Sequence, residues 1–91
     1  MGWKIDPRVA WQTVDGEAVV LDLATGRAIG LNATGTLVWT FLPSESEESI
    51  AGRVAETFGV DAETALADVA EFVAMLRDRR LIAEELAVSA P

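Results

Sequence analysis

Asp15-Gly16 stands between two apolar runs, Val9 to Val14 and Glu17 to Leu23, and no other feature constrains the start of this chain so tightly. A two-residue hairpin loop of type I′ needs positive φ at both central positions, which aspartate tolerates and glycine adopts freely. The turn fixes the register: Val14 faces Glu17, Thr13 faces Ala18 and Trp11 faces Val20. Strand side chains alternate, so Trp11, Thr13, Ala18 and Val20 share one face while Val19, Leu21 and Leu23 share the other. A second turn follows at Ala24-Thr25-Gly26, read as a three-residue loop with glycine in the left-handed position. Arg27 to Leu31 is then the third strand, with Arg27, Ile29 and Leu31 on one face and Ala28 and Gly30 on the other. A short meander of this kind leaves at least one edge with unpaired N–H and C=O groups.

The rest of the sequence has helical spacing. Asn32 is placed to cap a helix from about Ala33 to Leu42, whose apolar stripe is Leu37, Val38, Phe41 and Leu42, with Trp39 on a flank. Pro43 ends it. Ser44, with Glu47 at capping-box distance, opens a second helix that buries Ile50, Val54 and Phe58 and stops at Gly59. Asp61 caps a third helix reaching about Arg79, with Ala62, Ala65, Leu66, Val69, Phe72, Val73 and Leu76 at helical intervals. Leu81-Ile82 suits a short closing strand or an extended packing segment, and residues 84–91 read as a mobile tail outside a core of about 8–83. The expected class is α+β: an N-terminal three-stranded antiparallel β-meander followed by three α-helices in one domain, 1–91. That order is winged helix-turn-helix-like, with the sheet moved to the front.

Composition removes most chemistry. The chain has no cysteine, no histidine and no tyrosine, and Lys4 is its only lysine. Disulfides, thiolate nucleophiles, imidazole catalysis and the usual zinc ligand sets are thereby excluded, so neither an enzyme nor a cofactor is expected. A domain of 91 residues buries a little over ~60% of its unfolded surface, which leaves scarce room for an internal active site. The net charge of −8 opposes a nucleic-acid partner, and the third helix presents Glu63, Asp68, Glu71 and Asp78 where a DNA-reading helix needs bases. No apolar stretch is long enough to cross a bilayer. Trp3, Asp6 and Pro7 interrupt the region where a signal peptide would be apolar, so a cytoplasmic location is expected.

Several residues carry a resemblance. Asp15-Gly16-Glu17-Ala18-Val19-Val20-Leu21-Asp22, then Gly26, Leu31-Asn32-Ala33-Thr34-Gly35 and Val38-Trp39, resemble the PqqD-like family, and Asp68-Val69, Phe72, Leu76 and Arg80-Leu81-Ile82 are similar to its closing helix. The likeness covers roughly residues 8–83, and Leu31-Asn32-Ala33-Thr34-Gly35 is its most specific part. The chain departs from the pattern at Arg80, where glycine is usual, and at Pro43-Ser44-Glu45-Ser46, where Asp-Gly or Gly-Gly is common.

The resemblance implies a peptide-recognition element for ribosomally made, post-translationally modified peptides. Such a protein binds a precursor's leader segment and delivers it to a modifying enzyme such as a leader peptidase or radical enzyme, in lasso-peptide or PQQ-type biosynthesis. The leader would add as a strand beside the third strand, in the groove next to the third helix. Candidate peptide-binding residues are Arg27, Ala28, Ile29, Gly30 and Leu31 on the strand, with Asp68, Phe72, Met75 and Arg79 on the helix. The helical four fall at spacings of four, three and four, a stripe beside the core stripe. Phe72 and Met75 suit either core or groove, and Asp68 suits a ligand, plain solvent, or a pair with Arg77 or Arg79. The competing readings are an adaptor that binds a folded partner, and a DNA-binding winged helix.

Overall fold

The computed structural model describes residues 2–85. Its elements run β1 (Gly2–Ile5), β2 (Val9–Val14), β3 (Glu17–Asp22), β4 (Arg27–Gly30), α1 (Ala33–Phe41), α2 (Glu47–Phe58), α3 (Ala62–Asp78) and β5 (Ile82–Glu85). The expected α+β order of meander and three helices is present, with a further two-stranded sheet built from the two ends.

The meander β2-β3-β4 is antiparallel throughout, and Val14 pairs with Glu17, Thr13 with Ala18 and Trp11 with Val20. Asp15 and Gly16 both take positive φ, at 52° and 81°, as a type I′ turn requires. The second turn differs from expectation. It holds four residues, Leu23 to Gly26, because Asp22 pairs directly with Arg27. Leu23 lies beyond β3 and is exposed, though its N–H still donates to the Arg8 carbonyl, while the Asp22 carboxylate accepts the Ala24 N–H at 2.9 Å.

The second sheet corrects the reading of the ends. Trp3 pairs with Glu84 and Gly2 with Glu85, and Asp6 N–H donates to the Leu81 carbonyl. Residues 2–5 and 84–85 thus belong to the fold, although neither lay within the expected core of 8–83. The remainder of the expected tail, 86–91, lies outside the described residues.

One core joins both layers: Ala18 and Val20 from β3, Leu31, Val38, Trp39 and Leu42 around α1, Ile50, Ala51 and Val54 from α2, Ala65, Val69, Val73 and Leu76 from α3, and Leu81 and Ile82. Burying a side chain of this size contributes roughly 1.5–3 kcal/mol. Trp39, expected on a flank, is fully buried at the centre, and the half-exposed Trp11 ring meets it edge-on at 6.0 Å. Phe58 and Leu66, expected inside, are exposed. Ala51 takes the inward place on α2, and the Phe58 end of that helix runs out past the core.

Helix ends follow local chemistry. Asn32 caps α1 by accepting the Gly35 N–H at 2.8 Å, and Asp61 caps α3 through Glu63 and Thr64. The cap of α2 is Ser46, not Ser44. Beyond Pro43 the chain spends 43–45 in turns that aim Glu45 back at Ser49 and Arg53, with the Arg53–Glu45 pair at 2.7 Å. Two glutamates of this region are thus engaged: Glu45, and Glu47, which accepts the Trp3 indole N–H. Helix α3 closes in a Schellman motif, with Leu81 N–H reaching the Leu76 carbonyl and Arg80 N–H reaching Arg77. That motif places Arg80 at φ +60°, in the left-handed region.

Candidate peptide-binding groove

The ladder phase determines which backbone groups of β4 are free. Leu31 N–H donates to the Ala18 carbonyl, so these two form a hydrogen-bonded pair. Such pairs recur every second residue in an antiparallel ladder. Ile29 with Val20 and Arg27 with Asp22 are therefore bonded to β3, in agreement with the register. Ala28 and Gly30 point their N–H and C=O groups the other way, at an edge that no described strand occupies. Four main-chain groups are on offer.

The wall facing that edge is α3. The helix runs opposite to β4, so that Arg79 stands near Arg27, and Phe72 near the start of α1. Arg27 and Ile29 share a hollow of about 480 Å³ with Asp22, Thr25, Arg79 and Leu81. Asp68, Phe72 and Met75 share a second, of about 290 Å³, with Glu71. A third, of about 250 Å³, lies where Asp68 and Phe72 meet Asn32, Thr34, Gly35 and Val38. The rise along α3 from Asp68 to Arg79 is about 16 Å, and Arg27 to Asn32 in extended chain is also about 16 Å. The two walls match in length, and between them they frame room for about five residues of extended peptide.

The site residues named from the sequence divide into three groups. Arg27, Ile29 and Arg79 line the first hollow and Asp68, Phe72 and Met75 the second, with Ile29, Phe72 and Met75 half-buried against the core. Ala28 and Gly30 contribute backbone only. Their side positions face the opposite surface of the sheet, where Ala28 lies with Ala10, Gln12, Val19 and Leu21. Helix α3 thus lies on the Ile29 side of β4 and not over its small residues. Leu31 is neither lining nor edge. Its side chain is buried, its N–H is taken by β3, and its carbonyl accepts from the Thr36 hydroxyl.

Sequence reasoning missed Asp22, Thr25, Glu71 and Leu81 as lining, and Gly35 as a contact. A β-carbon on Gly35 would lie 3.1 Å from the Phe72 ring, so glycine is what lets that ring settle against α1. The signal was available, since a glycine in the first turn of a helix weakens it unless something packs close. Thr36 was also missed. Its hydroxyl accepts the Ala18 N–H at 2.8 Å and donates to Leu31, a bridge inserted where β3 and β4 part.

The sequence matches the family described as coenzyme PQQ synthesis protein D (PqqD) over residues 17–82. The chain belongs to the PqqD family. Among solved structures, one described as TbiB1 in complex with the TbiA(beta) leader peptide is 30% identical, with a TM-score of 0.82, over 91% of this chain and 98% of that one. A lasso peptide synthetase B1 complexed with the leader peptide is 22% identical, with a TM-score of 0.85, over 92% of this chain and its own full length. The second shares the fold of this PqqD-family chain. None of the curated proteins compared matches it. No helix among the described residues is long and apolar enough to cross a membrane.

Proposed function

We propose that this PqqD-family chain binds the leader segment of a ribosomally made precursor peptide, as an added strand on β4, and presents it to a separate modifying enzyme of a lasso-type pathway. The observation that carries this reading is the vacant edge at Ala28 and Gly30, set against a helix-walled groove of matching length. The similar TbiB1 structure, which holds a leader peptide, supports it. The role is non-catalytic, in keeping with a sequence that lacks histidine, cysteine and tyrosine.

Magnitudes divide the work between edge and groove. Four main-chain hydrogen bonds at roughly 0.5–1.5 kcal/mol each give about 2–6 kcal/mol. Association itself costs an estimated 4–15 kcal/mol. The edge alone is therefore insufficient and indifferent to sequence; side chains over Ile29, Phe72 and Met75 must supply the remaining affinity and the selection. Titration of the ¹⁵N-labelled chain with leader peptides encoded beside its own gene tests the reading. The Ala28 and Gly30 amides should move downfield and become protected from exchange. Saturable binding that leaves both amides solvent-exposed would place the ligand elsewhere.

A further inference from the structure

The groove is electrically polarised, and its polarity runs along its length. At the β4 start, Arg27 and Arg79 stand together with one acid, Asp22, whose carboxylate is already engaged by the Ala24 N–H. At the other end, Asp68 and Glu71 flank Phe72 and Met75 with no base among the lining residues. Among the described residues, none of Arg27, Arg79, Asp68 and Glu71 forms an ion pair. In a chain with 7 bases against 15 acids, two bases left uncommitted at one mouth of a groove stand against the sign of the net charge. Between the charged ends the floor is apolar, at Ile29, Met75 and Phe72.

We propose that the groove selects leader segments by the order of their charges, and this rests on the strand-addition reading above. Antiparallel pairing is the more stable ladder per residue and is the arrangement of every other strand pair here. A ligand antiparallel to β4 enters at the Asn32 end, beside Asp68 and Glu71, and leaves at Arg27 and Arg79. Every second side chain of an added strand faces the α3 side. With about 16 Å between the charged ends, matched side chains fall four residues apart. The favoured ligand class is therefore base–x–apolar–x–acid, read from its N-terminus. The reversed order sets like charges together at both ends.

Three blocked synthetic peptides test this on the full chain: Thr-Lys-Val-Leu-Thr-Glu-Thr, its isomer Thr-Glu-Val-Leu-Thr-Lys-Thr, and the neutral Thr-Gln-Val-Leu-Thr-Gln-Thr. Titrated against the ¹⁵N-labelled protein at low salt, the first should bind about 3- to 10-fold tighter than its isomer, the range expected for two exposed ion pairs. The difference should shrink in ~0.5 M salt as screening shortens to a few ångströms. In an Arg27→Glu/Arg79→Glu variant, which carries acids at both ends, the preference for order should vanish. Equal affinities for all three peptides, with the Ala28 and Gly30 amides still shifting, would overturn charge selection and leave strand addition intact. A tighter isomer would reverse the orientation and overturn the proposal as stated. If no peptide shifts those amides, strand addition and the selection built on it fall together.

Discussion

The Phe72 ring rests against Gly35, with its Cε1 3.1 Å from where a β-carbon on that glycine would stand. Helices α1 and α3 meet at this contact, and the same ring forms part of the groove floor. Fold and candidate binding surface thus share one close approach. In Gly35→Ala the ring must shift a few tenths of an ångström, and as a half-buried side chain it has the groove to move into. Alanine's better helix propensity, worth up to about 1 kcal/mol, offsets the strain. Stability should change by less than about 1 kcal/mol while leader affinity falls roughly 3- to 10-fold, since floor contacts carry selection. Urea midpoints and calorimetric Kd values check the two separately. Unchanged affinity would remove Phe72 from the ligand's path.

Thr36 makes a different kind of link. Its hydroxyl serves the Ala18 N–H and the Leu31 carbonyl at the point where the meander opens into α1. Thr36→Val keeps the shape and deletes both bonds, leaving two partly buried backbone groups without partners, at about 1–3 kcal/mol. Thr36→Ser should restore most of the loss. Equilibrium urea unfolding of the pair decides it, and a serine variant as weak as the valine one would point to packing instead.

Much of the fold was legible because local chemistry and the global answer agree. Asp15-Gly16 has one comfortable hairpin, Asn32 and Asp61 open their helices through side-chain oxygens, and Gly59, with no β-carbon, closes α2 in the left-handed region. What escaped were the choices made by long-range packing. Periodicity marks a stripe without saying where the core stops, hence Phe58 and Leu66 outside and Trp39 within. Strand β1 escaped because it pairs with β5 across nearly the whole chain and so carries no hairpin signal; of β5 only the start was anticipated, as a closing strand at Leu81-Ile82. In the candidate groove, α3 spacing put Asp68, Phe72 and Met75 on one hollow, with Arg79 on the next. It could not supply Leu81 or Asp22, which arrive from other segments.

Arg80 occupies the left-handed position of the Schellman motif at φ +60°, where glycine is usual in the pattern that the sequence resembles. A side chain there costs about 1 kcal/mol or somewhat more. Glycine relieves that strain but frees the unfolded chain, which returns part of the gain. Arg80→Gly should therefore stabilise by roughly 0.5–1 kcal/mol and raise Tm by about 2–6 °C for a chain of this size. β-Branched Arg80→Val should lose stability by a similar amount. A drop in Tm for the glycine variant would show that the Arg80 side chain contributes more than its backbone costs.

Acid should weaken the fold through the Asp61 cap and the Glu45 pair. The Thr64 hydroxyl at 2.6 Å, with the Thr64 and Glu63 amides, holds the Asp61 carboxyl below its ordinary value. Arg53 chiefly, then Ser49, do the same for Glu45. A carboxyl depressed in the folded state contributes stability that is complete above its unfolded pKa, and loses it as pH falls through the folded one. The urea midpoint of wild type relative to Asp61→Asn should hold steady from about pH 6 to 8. It should then narrow below about pH 4, since asparagine caps without titrating. A difference independent of pH would mean that Asp61 acts only through its shape.

The phase of the β4 ladder makes the sharpest prediction, because adjacent residues there should behave oppositely. From sequence alone Ile29 is the natural place for a proline that blocks strand addition. The Leu31–Ala18 bond shifts that choice by one residue: Ile29 is bonded inward to Val20, and Ala28 faces out. Proline at an edge position whose N–H points to solvent is tolerated, whereas proline at a paired one breaks the ladder. Ala28→Pro should keep the fold and weaken leader binding about tenfold or more, by removing one donor and crowding the incoming strand. Ile29→Pro should instead cost about 1–3 kcal/mol of stability, through the stranded Val20 carbonyl. Its residual folded population should still offer Ala28 and Gly30 to a ligand. Circular dichroism with calorimetry separates the two outcomes. Normal binding by a folded Ala28→Pro variant would mean that the leader does not pair with β4.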